Sequence, residues 1–165
     1  GNFGMFVRAY TYIREPGREG LADATDMAVL NANYLRVRLG ETFHVVHDRP
    51  CMHEVVLTDR NQRKSTGVET KDIAKGLIDR GFHPPTVYFP ICVPHAIMIE
   101  PTETETRETL DDFIEAMVDV DREARTDPDH LKAGPHVTLV GRLDETRAVR
   151  TPILRWTPAE PEETA

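Results

Sequence analysis

The apolar residues of the first 40 positions recur with the spacing of an α-helix. One stripe at that spacing runs through residues 18–39, formed by Leu21, Ala24, Ala28, Ala32, Leu35 and Leu39. Residues 3–14 have similar spacing but carry aromatic and apolar side chains nearly all round. Such a helix requires burial on more than one side, and a chain this short offers too little protein to cover it. The pattern therefore predicts an exposed apolar patch on this first helix, as a surface for dimerisation or aggregation. Asn31 and Asn33 flank the buried stripe and are expected to form hydrogen bonds in the core rather than to bind a ligand.

Four short apolar runs further along the chain predict a sheet. Residues 43–47, 52–58, 87–93 and 96–100 are rich in β-branched and aromatic side chains, which favour strands. Because Pro94-His95 separates the last two runs, we expect these strands to pair antiparallel through a tight turn.

Helices are expected on both sides of this hairpin. Thr70 caps the helix before it, and Gly81 ends that helix. The helix after it covers residues 105–124, and Thr102 and Glu105 form a capping box at its start. The acidic residues of this second helix indicate a solvated face rather than a metal site.

The remaining segments lack periodicity. Residues 58–67 are polar and predict a loop. From residue 126 onward prolines punctuate the chain, which predicts an extended tail along the surface. Residues 159–165 are acidic and contain no large apolar side chain, so this end is expected to be disordered.

Composition and charge exclude several classes of protein. The 165 residues carry a net charge of −8, which argues against binding to nucleic acid or to an anionic membrane surface. No apolar run approaches the length of a membrane span. Cys51 and Cys92 are too few for a disulfide scaffold and have no metal-ligand spacing. We therefore expect a protein of the reducing cytoplasm with no metal site.

The hairpin region carries a specific resemblance to a known family. GFHPPT, YFP and IMIEPTETE, within residues 81–105, resemble the C-terminal region of the glycine cleavage system P-protein, which in many organisms is a separate subunit 2. The segments FVRAYTYIREPGREGLADATDMAVLNANYLRVRL, CMHEVVL and HLKAGPHVTLVGRLDETRAVRTPILRW are similar to other parts of the same region. The resemblance thus covers nearly the whole chain.

The resemblance implies the small C-terminal domain of a fold-type-I enzyme that depends on pyridoxal 5′-phosphate (PLP). Such a domain is an α/β (α+β) layer with a mainly antiparallel sheet and helices on one face. Residues 1–17 would be a helix from a missing large domain, 18–125 the small domain and 126–165 the tail. The chain is expected to be a fragment, inactive alone, and oligomeric.

The same resemblance implies a reaction and its participants. Glycine loses its carboxylate as CO2, and its aminomethyl group passes to the lipoyl group of the H-protein. The implied partners are the N-terminal part or subunit 1 of the P-protein and the H-protein. The Schiff-base lysine of the family lies upstream of this region, and none of the four lysines here has a glycine-rich neighbourhood. We therefore expect no PLP-binding residue in this chain.

Four residues are candidates for the rim of the cofactor cleft. His53 and Glu54 precede a predicted strand, and His83 and Thr86 lie in the GFHPPT turn. A histidine near neutral pKa can transfer a proton or orient a carboxylate, but the simpler interpretation is that both histidines are structural and bonded to the backbone at the ends of strands and helices. Because no complete catalytic set is present, the alternative is a non-catalytic α/β module for interaction or dimerisation.

Overall fold

The computed structural model of the chain describes residues 1–156. It contains seven helices within that range: α1 (Phe3–Arg14), α2 (Gly17–Leu39), α3 (Arg60–Thr66), α4 (Thr70–Asp79), α5 (Arg107–Thr126), α6 (Pro128–Ala133) and α7 (Glu145–Arg150). Its strands are β1 (His44–Val45), β2 (Val55–Thr58), β3 (Thr86–Val87) and β4 (Ala96–Ile99). They form one sheet in the order β1-β2-β4-β3.

The sheet is antiparallel throughout, as predicted for this fold class. Strand β4 is central and pairs with β2 from Val55↔Ile99 to Thr58↔Ala96. Since side chains alternate between the faces of a strand, Leu57 and Ile97 enter the core while their neighbours Val56 and Met98 stay half-buried on the other face. One face of the sheet therefore carries the hydrophobic core.

The core lies between this face and helices α2, α4 and α5. Its fully buried members include Leu35 of α2, Ile73 and Leu77 of α4, and Met117 and Val120 of α5. In α2 the second half of the predicted apolar stripe is buried, at Ala32, Leu35 and Leu39, whereas its first half, at Leu21, Ala24 and Ala28, is half-buried.

The starts of the helices differ from the predicted ones. Helix α5 begins after Thr106, whose hydroxyl oxygen accepts a hydrogen bond from the Thr109 backbone N–H at 3.1 Å, so the predicted capping box at Thr102 and Glu105 is wrong. Helix α4 starts after Glu69, whose backbone N–H donates to the Asp72 carboxylate at 2.9 Å. Carboxylates at the N-terminus of a helix satisfy its free N–H groups and interact favourably with its dipole.

Three other local predictions need correction. The segment 58–67 is not a loop, because α3 occupies most of it. Strand β3 has only two residues, and eight residues rather than a tight turn join it to β4. Prolines at 90 and 94 lack the N–H that a longer ladder requires. The segment from 126 onward contains α6 and α7 where an extended chain was expected, and the end predicted to be disordered, 159–165, lies outside the described residues.

Both asparagines of α2 have the predicted structural role. Asn31 donates to the Thr102 carbonyl at 2.9 Å. Asn33 donates to the Cys51 carbonyl at 2.7 Å and accepts from the Cys51 N–H at 3.0 Å. These contacts fix the connections that lead into β2 and α5 against the long helix.

Helix α1 stands apart from this core. All its residues are exposed, including Phe3 (78%), Phe6 (64%) and Tyr10 (66%). The Tyr12 hydroxyl donates to Glu103 Oε1 at 2.8 Å and ties the helix to the segment before α5. The exposed apolar patch predicted for this helix is confirmed.

Candidate functional site

A groove of about 560 Å³ opens between the start of α5, the end of β4 and the turn between α4 and β3. Its floor is apolar and includes Phe82 and Phe113, whose rings meet edge to face with centroids 5.4 Å apart. Its polar lining residues are His83, Thr86, Glu100, Glu105 and Thr109. An apolar floor with a few polar groups at the rim is typical of a ligand site.

The GFHPPT turn places two of the predicted residues on this rim. Gly81 adopts the left-handed conformation, φ +82°, which a side chain would disfavour, and it turns the chain out of α4. Pro84 and Pro85 then keep the backbone extended as far as β3. His83 and Thr86 consequently line the groove, and both are exposed.

Of the other predicted pair, His53 and Glu54, only His53 lies beside the groove. His53 Nε2 lies 3.5 Å from Glu100 Oε1, and both side chains are about half exposed. Glu100 lines the groove, so His53 reaches the site through this carboxylate. Glu54 is half-buried and does not line the groove. The structure thus brings together His83, Thr86 and Glu100, with His53 beside them, and leaves Glu54 outside.

Sequence reasoning missed a second polar cluster, at the opposite end of β4. The Asp59 side chain is almost fully buried, with its Oδ2 atom 3.3 Å from His95 Nδ1. The Thr70 backbone N–H donates to the same oxygen at 2.8 Å, and the Thr70 hydroxyl donates to the His95 carbonyl at 2.8 Å. His95 and Tyr88 both have φ +57°, an uncommon conformation for residues with side chains.

This cluster has no sequence signature. Its members lie 11 residues apart from Asp59 to Thr70 and 25 apart from Thr70 to His95, on three different elements. Burial, followed by the nearby carboxylates of Glu69, Asp59 and Asp72, raises the pKa of Tyr88. The cluster holds the end of the β3–β4 connection that leads into β4, which is a structural role.

A covalently held PLP requires a lysine, and all four lysines of the chain lie within the described residues. None of the four lines the groove. Lys71 Nζ lies 2.7 Å from Glu145 Oε1, and Lys132 Nζ donates to the Thr66 carbonyl at 3.3 Å. The groove therefore does not fit the cofactor as a covalent site, and we derive no step through PLP from these residues.

Residues 1–156 contain neither a metal-binding cluster nor a helix that could span a membrane. No group of three or more His, Cys, Asp and Glu side chains in this range is arranged to hold a metal ion. None of the helices described there is long and apolar enough to cross a membrane.

Comparison with known protein families identifies the family to which this fold belongs. The model of the family described as "Glycine dehydrogenase, C-terminal domain" matches residues 24–135. The chain belongs to this family, which confirms the resemblance seen in its sequence.

Individual relatives of the chain carry names that agree with this family. The chain is 56% identical over 156 residues to proteins named "Probable glycine dehydrogenase (decarboxylating) subunit 2" from Halalkalibacterium halodurans and Bacillus velezensis. Each match covers 94% of this chain and 32% of the relative, so the chain spans about a third of the length of these relatives.

A solved structure shares the fold. The crystal structure of glycine decarboxylase (P-protein) of the glycine cleavage system, in inhibitor-bound form, matches with a TM-score of 0.56 and 22% identity. The match covers 66% of this chain and 24% of that chain. It supports the predicted fold class, an α/β layer with an antiparallel sheet.

Proposed function

We propose that this chain acts as the C-terminal domain of a PLP-dependent glycine dehydrogenase (decarboxylating) of the glycine cleavage system. The observation that carries the proposal is the 56% identity to subunit 2 proteins across 94% of the chain. In that assignment PLP is held by the rest of the intact enzyme and the chain alone is inactive. The proposed localisation of the enzyme is cytoplasmic.

The groove is the part of this domain that we assign to the rim of the cofactor cleft. His83 presents an imidazole, a group that often serves in proton transfer, and Thr86 presents a hydroxyl to the same space. Glu100, with His53 beside it, supplies a negative charge at the far side of the groove. The edge-to-face pair of Phe82 and Phe113 gives the groove an apolar floor beneath these polar groups. Glu54 lies away from this space, and we give it no part in the reaction.

Helix α1 is the surface that we assign to the rest of the enzyme. Residues 1–17 belong to the large-domain side in this division, 18–125 to the small domain and 126–165 to the tail. Contiguous apolar patches as extensive as the one on α1 mark sites of protein contact. The helix would therefore pack against the remainder of the subunit or against subunit 1, within an oligomer. The lipoylated H-protein is the further partner that this assignment requires, with glycine as substrate.

Co-production with the complementary part of a relative tests the assignment. The chain is produced with the remaining two thirds of the H. halodurans subunit 2 and with subunit 1, and the mixture is purified and assayed for glycine–CO2 exchange. Stable association and exchange activity support the proposal. A chain that stays a monomer or dimer indifferent to these proteins favours the alternative, a non-catalytic interaction module.

A further inference from the structure

The segment after α6 crosses the surface of the helical layer as a strap, which we define as residues 134–150. Asp79 Oδ1, near the end of α4, accepts hydrogen bonds from the backbone N–H groups of His136 at 2.7 Å and Val137 at 3.0 Å. Arg142 donates to Asp72 Oδ1 at 2.7 Å. The strap is thus fixed along α4 by carboxylates of that helix.

Hydrophobic burial contributes little to this attachment. The large apolar side chains of the strap are all at least 59% exposed: Val137, Leu139, Val140, Leu143 and Val149. Burial of apolar surface is the main favourable term in most packing, and in the strap only Gly134 and Pro135, at its start, are buried. Beyond Pro135 the polar contacts therefore decide how firmly the strap is held.

A pair of stacked imidazoles joins the strap to α6. The rings of His130 and His136 lie nearly parallel, with centroids 4.0 Å apart and an interplanar angle of 19°. His136 Nε2 lies 2.9 Å from the His130 carbonyl oxygen and donates to it. His130 Nδ1 lies 2.6 Å from Glu123 Oε1, and Arg80 donates to the other oxygen of that carboxylate at 2.7 Å.

The charged groups around His130 are mostly acidic. Helix α5 and its end contribute Glu123 and Asp127, α4 contributes Asp79 and Arg80, the strap contributes His136, and α6 itself carries Asp129 and Lys132. A positive imidazolium at His130 is therefore held against carboxylates on one side while its ring stacks on the strap on the other.

We propose that His130 is a pH-sensitive latch, which holds the strap firmly when its imidazole is charged and loosens it when the imidazole is neutral. The charged ring makes a charge-assisted hydrogen bond to Glu123, which is stronger than a neutral one. This bond fixes the ring on which His136 stacks and the carbonyl to which His136 donates. Loss of the charge weakens the hydrogen bond between His130 and Glu123. The His130 ring is then held less firmly, and this loosens the stacked His136 and the backbone amides of His136 and Val137.

The direction of the pH effect follows from the protonation of His130. Its hydrogen bond to Glu123 is the largest cause that raises its pKa above the ordinary 6.5. Because this pKa is raised, the contribution of the His130–Glu123 contact to stability is fully present below the pKa that His130 has in the unfolded chain. It is lost as pH rises through the folded value. The strap is accordingly firm in mild acid and looser in mild alkali.

Hydrogen exchange of individual amides, measured by NMR on the 165-residue chain at pH 6 and pH 8, tests the latch. After correction for the intrinsic pH dependence of exchange, protection of the His136 and Val137 amides should fall by about two- to fivefold, the range expected for an exposed ion pair. His130→Gln removes the titrating group and should make protection independent of pH. His47→Gln replaces an exposed histidine that is distant in sequence from His130. In this variant the protection of both amides should change with pH as it does in the unaltered protein.

Two results would overturn the latch. One is equal protection of both amides at pH 6 and pH 8 in the unaltered protein. The other is a fall in His130→Gln as large as that in the unaltered protein. Both readouts are independent of enzymatic activity, so they stand apart from the proposed function.

Discussion

The Asn33 side chain and the Cys51 backbone are joined by two hydrogen bonds: Asn33 Nδ2 donates to the Cys51 carbonyl oxygen at 2.7 Å, and the Cys51 N–H donates to Asn33 Oδ1 at 3.0 Å. One side chain thereby satisfies both backbone groups of a residue that has no strand partner. The pair anchors the entry to β2 on the long helix α2. Its position explains why a polar residue is required on the border of an otherwise apolar stripe.

Replacement of Asn33 by alanine should therefore destabilise the domain. The change leaves a partly buried N–H and a carbonyl without partners, and we expect a loss of about 1–3 kcal/mol in the free energy of unfolding. Urea denaturation followed by circular dichroism measures it. Asn61→Ala, which removes one hydrogen bond at an exposed residue, is the matched control and should cost less. Equal losses in the free energy of unfolding for the two variants would show that the pair of hydrogen bonds between Asn33 and Cys51 adds no stability.

The close packing around Gly76 leads to a second prediction about stability. A Cβ atom at this position of α4 would lie 2.6 Å from Leu131 Cδ1 and 3.2 Å from Val120 Cγ2. Alanine favours a helix by about 1 kcal/mol over glycine, but overpacking a close helix contact costs about 1–3 kcal/mol. We expect Gly76→Ala to be destabilising on balance, as measured by thermal unfolding.

A double variant separates the two effects of Gly76→Ala. If the clash with Leu131 is the cause, the combined change Gly76→Ala with Leu131→Ala should cost less than the sum of the single changes. Strict additivity of the two costs would contradict this explanation.

The contact between Tyr12 and Glu103 predicts a titration. The hydrogen bond from Tyr12 lowers the pKa of Glu103 below 4.5, and the carboxylate raises the pKa of Tyr12 above 10.0. The contact is therefore lost as pH falls through the lowered value of Glu103, and again as pH rises through the raised value of Tyr12. Glu103→Gln should return the Tyr12 pKa toward its ordinary value in an NMR titration. An unchanged Tyr12 titration in this variant would show that α1 is not held by this contact.

The sequence predicted the parts of the fold that depend on apolar periodicity. Residues such as Leu35, Ile73 and Val120 repeat at helical spacing because they face a common core, and this spacing located α2, α4 and α5. The ends of elements were less predictable. Thr102 has the spacing of a capping box, but the helix starts after Thr106, where the local contacts are better satisfied.

The groove was only partly predictable for a related reason. His83 and Thr86 share one short turn, so a local motif placed both on the rim. Glu54 is adjacent to His53 in sequence but does not line the groove, whereas His53 lies beside the Glu100 carboxylate at its rim. The Asp59–His95 contact joins distant elements, and such proximity is set by the tertiary structure alone.

A His83 substitution tests the groove in the complete enzyme. In an H. halodurans subunit 2 whose matching region is replaced by this chain, His83→Gln should lower the rate of glycine–CO2 exchange by about 100-fold if the imidazole transfers a proton. His47→Gln, an exposed histidine that does not line the groove, should leave the rate unchanged. Equal rates for the two variants would remove His83 from the reaction.

The same replacement, without further substitution, tests the central claim most directly. The H. halodurans subunit 2 is 56% identical to this chain over the exchanged 156 residues, so a domain with the same role should pack against the remaining two thirds. We predict that the hybrid subunit, combined with subunit 1 and PLP, catalyses glycine–CO2 exchange, while this chain alone does not. A hybrid that folds and assembles but shows no exchange, or exchange by this chain alone, would contradict the account.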